Sequence, residues 1–383
     1  MEASTPPPYQ YIDTTADLGE LVPAIRGAER VGVDMEANSL HHYFEKVCLL
    51  QMTVSGKNYI VDPLGDIDLS DLLAALAETD LIFHAADYDM RMMLSSFGFR
   101  PERPVFDTMI AAQLVGEEGL GLVTATSNFL GVELTKDGQK SNWAQRPLTE
   151  RQLEYASDDT RYLESLATIL GAKLVELGRE AWHREWCARV VDQAAQPPRR
   201  DPEDAWRIKG AGKLQRRELA YLRAIWRWRD GQAQEIDKPA FRVLSNPQLI
   251  SLAEWGAANP GVSLKQGPRL PKSCSNGQRY RALCDAIASV NATPEAEWPV
   301  RRKGKGQPPM EDRLKASVRK LQDSCAKLGE ELALRPSIIA PRAALIGIAR
   351  DEAKTPTEIA ASSGLMSWQA ALMAPIVNEV FHA

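Results

Sequence analysis

The chain has 383 residues, of which 44% are hydrophobic and 25% charged, values near those of ordinary globular proteins. This length is too great for one ordinary hydrophobic core and predicts two or three domains, at about 150 residues each. No apolar run approaches the roughly 18 residues of a membrane helix, and the N-terminal residues lack a signal-peptide pattern. We therefore expect a cytoplasmic protein that does not enter a membrane.

Charge is distributed unevenly along the chain. The net charge is −5, yet residues 199–320 contain 25 Lys and Arg against 13 Asp and Glu, which leaves this segment at +12 and the rest at −17. A basic segment is suited to binding a phosphate backbone, because Lys and Arg can neutralise phosphates. A solvated helical surface without a partner explains the same charge, and the sequence leaves both interpretations open.

The first half of the chain is predicted to be a mixed α/β domain. Its proline-rich start, which contains Tyr9 and Asp13, is predicted to be unstructured. Ser55-Gly56-Lys57 is predicted to be the turn of a hairpin. The predicted strands are 31–36, 47–54, 58–62, 81–84 and 105–106, and the predicted helices are 69–78, 86–97, 107–115 (capped by Asp107) and 149 to about 170, with more helix to about 191.

The second half is predicted to be helical. Residues 194–203 contain three prolines and charged residues, and this composition is typical of a linker. Helical spacing of apolar residues follows at 214–229 and again after Ser245. A second break at 293–309 contains the basic run Arg301, Arg302, Lys303 and Lys305, and the remaining residues are again helical in pattern.

Three short acidic motifs carry the chemistry. In the first, Asp34 and Glu36 share one face of a strand whose other face is apolar, because side chains alternate along a strand. In the second, Asp87 and Asp89 follow an apolar strand at the start of a helix, where ligands of α/β sheets usually bind. In the third, Tyr155 and Asp159 lie four residues apart and therefore share one face of a helix. Each motif alone is a weak signal: a charged strand end explains the first one better, and charges at a helix start explain the second equally well.

The ordered set of motifs is more specific than its parts. Several carboxylates close together are the site that two-metal phosphodiester hydrolysis requires, with metals about 3.5 to 4 Å apart. Carboxylates without a histidine or cysteine cluster favour Mg²⁺ or Mn²⁺ over zinc. Tyr155 is then expected to orient the attacking water.

With these motifs the chain resembles the DEDDy 3′–5′ exonucleases, and within them ribonuclease D. The family's motifs fall on Asp34, Glu36, Asp89, Tyr155 and Asp159, which the resemblance implies are catalytic. It implies that Asp34 bridges two metal ions, that Glu36 and Asp159 hold the ion that activates water, and that Asp89 holds the other. The stretch 141–152 also resembles the family, although many relatives have Asp at the position of Asn142.

The second half resembles HRDC domains, which are small helical nucleic-acid-binding modules, over residues 214 to about 288. The resemblance implies a ribonuclease-H-like α/β exonuclease domain (1–195), an HRDC domain (206–291) and a divergent second HRDC-type domain (308–383). It also implies a monomer that matures the 3′ ends of tRNA precursors and other stable RNAs, releasing nucleoside 5′-monophosphates.

Two other functions stay open. The first is a DNA exonuclease, which has the same metal chemistry. The carboxylates do not recognise the 2′-OH, so they do not distinguish RNA from DNA. A non-catalytic RNA-binding protein would use the helical domains alone. Candidate substrate-binding residues are His84 beside the second motif, and the aromatic residues Trp143 and Tyr43, with neighbours His42 and Phe44, whose rings are able to stack on terminal bases. The sequence favours ordinary packing for these aromatic residues, because a stacking ring cannot be told from a core ring without geometry.

Overall fold

The computed structural model describes residues 9–135, 138–196, 202–301 and 311–382. The centre of the predicted linker, at 197–201, and the basic residues Arg302, Lys303 and Lys305 lie outside these ranges. The chain divides into two compact units: the body, with Met1–Ala37, Val47–Gln196 and Met310–Ala383, and the helical module, with Asn38–Lys46 and Pro197–Pro309. None of the described helices is long and apolar enough to span a membrane.

A six-stranded sheet lies at the centre of the body, in the spatial order β1-β4-β3-β2-β5-β6. Its strands are β1 (Tyr9–Thr14), β2 (Arg30–Ala37), β3 (Val47–Val54), β4 (Lys57–Asp66), β5 (Asp80–Phe83) and β6 (Val105–Asp107). Strand β3 is antiparallel to its neighbours β2 and β4, whereas the remaining pairs are parallel. The predicted mixed α/β fold is therefore confirmed.

The hairpin between β3 and β4 lies where the sequence predicts it. Ser55 and Gly56 have φ of 48° and 78°, and a two-residue hairpin turn of this kind requires positive φ at both positions. Lys57, which the prediction placed in the turn, is instead the first residue of β4.

Helices flank the sheet in the first half of the chain. They are α1 (Leu18–Gly27), α2 (Ser70–Ala77), α3 (Asp87–Phe97), α4 (Thr108–Leu114), α5 (Leu122–Leu130), α6 (Glu150–Arg161), α7 (Leu163–Glu176) and α8 (Glu180–Ala194). The prediction missed β1, α1 and α5, and it was wrong to leave Tyr9 and Asp13 unstructured, because both lie in β1. Strand β1 pairs with residues about fifty positions away, so no local hairpin signal marks it.

The long helix predicted from residue 149 to about 170 is divided at Tyr162 into α6 and α7. At this division the chain passes close to β2. A Cβ added to Gly32 would lie 3.3 Å from both the Thr160 carbonyl oxygen and the Leu163 Cβ. Glycine at this position therefore lets the α6–α7 junction approach the strand that carries Asp34.

The helical module contains α9 (Arg216–Glu235), α10 (Ala240–Val243), α11 (Asn246–Ala258) and α12 (Gly277–Ala292). Its core includes Tyr221, Ile225 and Leu249, all with at most 1% exposure. The loop 38–46 belongs to this unit: Asp237 accepts hydrogen bonds from the backbone N–H groups of Tyr43 (3.0 Å) and Phe44 (3.2 Å).

The final segment, residues 311–382, contains α13 (Asp312–Leu332), α14 (Pro336–Ile339), α15 (Arg342–Asp351), α16 (Pro356–Ser363) and α17 (Ser367–His382). Although it was predicted to be a separate domain, it groups with the body. The Trp368 ring stacks on Trp182 of α8, with 4.7 Å between ring centroids. In addition, Arg179 donates to the carbonyl oxygens of Leu114 and Leu332, which joins the segment to the rest of the body.

Candidate active site

Strand β2 supplies the first two carboxylates. Val31, Val33 and Met35 are buried in the core on one face of the sheet, so Asp34 and Glu36 lie on the other face, as the alternation of side chains predicts. Both carboxylates are partly buried. The strand therefore places two acids side by side where helices α6 and α7 cover the sheet.

Asp89 lies in the first turn of α3 and is 6% exposed. The turn before this helix is held by Asp107, whose carboxylate accepts hydrogen bonds from the N–H groups of Ala85 (3.1 Å) and Ala86 (2.8 Å). Ala85 has a φ of 69°, which is uncommon for a residue with a Cβ. Asp107 also caps α4, as predicted from the sequence, so one buried carboxylate fixes two helix starts.

Helix α6 supplies Tyr155 and Asp159. It begins with a capping box in which Thr149 and Gln152 bond reciprocally to each other's backbone. A hydrogen bond of 2.8 Å between the Thr53 and Thr160 hydroxyls joins the helix to β3. Asp158 points elsewhere, as the helical spacing predicts, and forms an ion pair with Arg161.

The three motifs meet in one acidic cluster. Asp34, Glu36 and Asp159 each have a carboxylate oxygen within 4.8 Å of the others. Asp89 lies outside this distance limit, but its charge raises the pKa of Glu36. We call these four residues the acidic cluster. The fold therefore brings the carboxylates of all three motifs close together, as the ordered set of motifs predicts.

Burial raises the pKa of all four carboxyl groups. Desolvation raises the pKa of Asp34 to about 7. It also raises the pKa values of Glu36, Asp89 and Asp159, and neighbouring carboxylates of the cluster contribute to each of these increases. Crowded carboxylates without a compensating cation disfavour their own ionisation. The cluster therefore has the electrostatic character of a cation site.

Tyr155 is held beside this cluster. Its hydroxyl forms a hydrogen bond with Asp159, and burial raises its pKa, so the phenol keeps its proton at neutral pH. Gly138 packs directly against its ring: a Cβ at that position would lie 2.2 Å from the Tyr155 Cγ. The phenol is thus positioned as a proton donor within the site.

An ion pair holds the loop that leads into α6. The Arg146 guanidinium donates two hydrogen bonds to Asp62, with Nε–Oδ2 at 2.5 Å and Nη2–Oδ1 at 2.7 Å. It also donates to the carbonyl oxygens of Trp143 and Cys48. Sequence reasoning missed this role of Arg146, because its partner Asp62 is 84 residues away and neither residue belongs to an acidic motif.

The candidate substrate-binding residues lie in three different environments. Trp143 is 1% exposed and packs beside Tyr155, which is the ordinary packing that the sequence favours for it. His84 contacts the Thr108 hydroxyl through Nδ1 (2.9 Å). The Tyr43 hydroxyl donates to Asp230 within the helical module, whereas the ring of its neighbour Phe44 is 54% exposed.

The donor atoms of the acidic cluster fit hard divalent cations. All four side chains offer carboxylate oxygens, the ligands that Mg²⁺ and Mn²⁺ prefer. Three of these oxygens already lie within 4.8 Å of one another, so little rearrangement is needed to share a cation. The residues present therefore match a divalent metal site.

Comparison with known proteins gives a consistent result. The family described as 3′–5′ exonuclease matches residues 9–175, and the HRDC domain family matches residues 218–261. The final segment has no part in either match.

Curated relatives extend the similarity over most of the chain. The ribonuclease D of Acidiphilium cryptum is 32% identical over 293 residues, which are 75% of this chain and 74% of that protein. The ribonuclease D of Gluconacetobacter diazotrophicus is 30% identical over 343 residues, 88% and 85% of the two chains. The crystal structure of Escherichia coli RNase D, described as an exoribonuclease involved in structured RNA processing, has a TM-score of 0.73, with 25% identity over 98% of this chain and 99% of that one.

Proposed function

Because the chain belongs to the ribonuclease D family and is a 3′–5′ exoribonuclease, we propose that its acidic cluster holds the two divalent metal ions of this reaction. The observation that carries the proposal is the approach of carboxylate oxygens from Asp34, Glu36 and Asp159 to within 4.8 Å of one another. The ions are Mg²⁺ or Mn²⁺, since every donor in the cluster is a carboxylate oxygen.

Each residue of the cluster has a defined task. As the family resemblance implies, Asp34 would serve both ions, Glu36 and Asp159 would hold the ion that activates water, and Asp89 would hold the other. When bound, two such ions activate a water and stabilise the leaving oxygen. Tyr155 orients that water through its hydroxyl, which keeps its proton because burial raises its pKa. Asp107 maintains the position of Asp89 by fixing the turn before α3.

The proposed substrates are the 3′ ends of tRNA precursors and other stable RNAs, from which the enzyme releases nucleoside 5′-monophosphates. The helical module supports this role through its charge, since its described residues 202–301 contain 16 Lys and Arg against 10 Asp and Glu. Such an excess attracts a phosphate backbone in a salt-dependent manner. We propose that the enzyme is cytoplasmic. We also propose that it is a monomer, and size-exclusion chromatography with light scattering tests its oligomeric state.

The test uses purified protein with 5′-labelled RNA and DNA of matched sequence, in Mg²⁺ or Mn²⁺ and in EDTA. We expect stepwise shortening of the RNA from its 3′ end and none in EDTA. Asp34→Ala and Asp89→Asn should abolish this activity without unfolding the protein, because they remove repulsion together with metal ligands. The matched control is Asp87→Asn, because Asp87 lies on the same helix but is exposed and pairs with Arg91.

The outcomes separate the candidate functions. Shortening of DNA alone would support a DNA exonuclease, and no cleavage of either strand would favour a protein that only binds RNA. An active, folded Asp34→Ala variant would disprove the assignment of the site even if RNA were shortened. If Asp87→Asn lost activity to the same degree, the loss would follow from the removal of any acidic side chain in this region and would not identify the acidic cluster.

A further inference from the structure

Gln51 is a buried polar residue in the middle of an apolar strand. Every residue of β3 is buried, and the Gln51 side chain is 0% exposed. Neither its Oε1 nor its Nε2 has a hydrogen-bond partner among the described residues. A buried amide without partners is costly, so its presence in this strand requires an explanation.

The position of Gln51 relates it to the acidic cluster. In the antiparallel ladder of β2 and β3, Gln51 pairs directly with Asp34. Residues directly opposite each other in such a ladder share one face of the sheet, with Cβ atoms about 4.5 to 5.5 Å apart. The amide therefore lies on the side of the sheet where Asp34 belongs to the cluster.

Neighbouring residues show that this face is covered by α6. Thr53, two residues beyond Gln51, bonds to Thr160 of that helix. Leu49, two residues before it, is buried in one cluster with Ala156 of the same helix. Met52 lies in the core on the opposite face. Gln51 thus lies between the sheet and the helix that carries Tyr155 and Asp159.

A second buried polar group lies on the same face of the sheet, on the side of β3 away from Asp34. Asn58 of β4 pairs with Thr53 and is 2% exposed, and its Nδ2 is also without a partner among the described residues. Buried waters occupy positions where two to four such polar groups converge. The Gln51 amide can both donate to and accept from a water that lies between it and the Asp34 carboxylate opposite.

We propose that Gln51 is a positioning residue which holds the Asp34 carboxylate, through one bridging water, in the orientation that binds metal. This inference rests on the proposed metal site. Carboxylates that bind metals are themselves oriented by hydrogen bonds, and loss of such a partner typically costs 10- to 100-fold in metal affinity or activity. Gln51 supplies this support from the strand opposite Asp34, whereas an apolar residue there would serve the packing alone.

The experiment replaces Gln51 by Met, which has a similar length and no amide, and uses Met52→Leu as the matched control in the same strand. Isothermal titration calorimetry measures Mn²⁺ binding without RNA, and thermal unfolding in EDTA measures the fold. We expect Gln51→Met to unfold at or above the temperature of the wild type and to bind Mn²⁺ about 10- to 100-fold more weakly. Hydrolysis should require a correspondingly higher Mn²⁺ concentration, and Met52→Leu should change neither affinity nor metal requirement.

Each other outcome decides against the inference. Wild-type Mn²⁺ affinity in Gln51→Met would overturn it. If Gln51→Met unfolded at a much lower temperature than Met52→Leu, or did not fold, the amide would serve the fold itself, and this outcome would also overturn the inference. Gln51→Leu repeats the comparison with a second apolar side chain. Failure of the wild-type protein to bind Mn²⁺ would instead contradict the proposed metal site, so the two failures are distinguishable.

Discussion

The two helical regions of the chain differ in what their tryptophans contact. In the helical module, Trp206 and Trp228 are buried in the module's own core. In the final segment, Trp368 instead stacks on Trp182 of α8, outside its own region. The Glu185 carboxylate, also on α8, accepts a hydrogen bond from the backbone N–H of Ser367 at the start of α17. The final segment has a core cluster of its own but also packs on α8 of the body, whereas both module tryptophans lie within the module's core.

Charge separates the two regions in the same way. The described module residues 202–301 have 16 basic against 10 acidic residues, whereas the final segment, 311–382, has nine of each. An excess of positive charge favours RNA binding, and a neutral segment has no such preference. Two regions that are both helical in sequence therefore differ in charge: the final segment is neutral and packs on α8, and the module carries the positive charge that we propose binds RNA.

The largest expected effect comes from Trp368→Ala. Removal of a buried tryptophan typically costs about 3 to 5 kcal/mol, a large part of the stability of most domains. We expect the body of the variant to unfold at a lower temperature than that of the wild type. Hydrolysis of a short RNA should be lost at about the temperature at which the variant's body unfolds. The matched control, Trp228→Ala, should destabilise the module and spare hydrolysis. Calorimetry measures the unfolding temperatures, and a short-RNA assay measures hydrolysis. Equal loss of hydrolysis in the two variants would show that the final segment and the module do not differ in this respect.

The next prediction concerns pH in EDTA. The pKa of Asp34 is raised from 3.8 to about 7, so between these values the folded chain binds more protons than the unfolded one. Stability contributed by this group is therefore present at low pH and falls as pH rises from about 4 to 7. We therefore expect the melting temperature of the body in EDTA to be lower at pH 8 than at pH 5.5.

Calorimetry at several pH values, with and without Mn²⁺, measures this dependence. Mn²⁺ should reduce it, and Asp34→Asn should raise the melting temperature at pH 8, because the variant carries no charge at that position. The control Asp87→Asn removes an exposed charge and should leave the temperature nearly unchanged. A body whose metal-free stability increases toward pH 8 would contradict the raised pKa values of the cluster.

Local patterns were sufficient to predict most of the sheet and the acidic cluster. Asp34 and Glu36 could be assigned to one face because strand alternation is a local property, and β3 has the predicted bounds of 47–54. Tyr155 and Asp159 followed from helical spacing for the same reason. What local patterns could not provide is packing: the burial of Trp143 and the docking of Trp368 depend on residues far away in the chain.

Gln51 and Arg146 show the same limit within the site. Gln51 lies in an apolar run without a motif, and only the strand register places it opposite Asp34. Arg146 lies in a stretch that resembles the family, yet its bidentate contact with Asp62 follows from the tertiary fold. Residues that support a catalytic group act across strands and loops, so sequence spacing does not reveal them.

Gly138→Ala tests the positioning of Tyr155 inside the body. The added Cβ would lie 2.2 Å from the Tyr155 Cγ, so the ring must move. A displacement of about 1 Å at a catalytic group can cost about 10²-fold in rate, and we expect kcat to fall by that order with RNA affinity unchanged. Gly121→Ala is the control, because a Cβ there meets nothing within 4 Å. Unchanged kcat in Gly138→Ala would exclude this constraint on Tyr155.

The smallest expected effect lies in the helical module. Arg223 and Arg227 line a cavity of about 150 Å³ between α9 and α12. Burial and the neighbouring charges of Arg227 and Arg207 lower the pKa of Arg223, and a bound phosphate would relieve this repulsion. We expect Arg223→Gln with Arg227→Gln to weaken RNA binding and to reduce the slope of log K against log salt by about two, about one per phosphate contact.

The control for this pair is Arg313→Gln, an exposed arginine of the neutral final segment. Fluorescence anisotropy at several salt concentrations measures affinity, and single-turnover hydrolysis at saturating RNA measures the chemical step. The double variant should lose affinity while its rate at saturation stays that of the wild type, because the acidic cluster lies in the body. If Arg313→Gln weakened binding as much as the double variant, the positive charge of the module would have no special role and both helical regions would contribute alike.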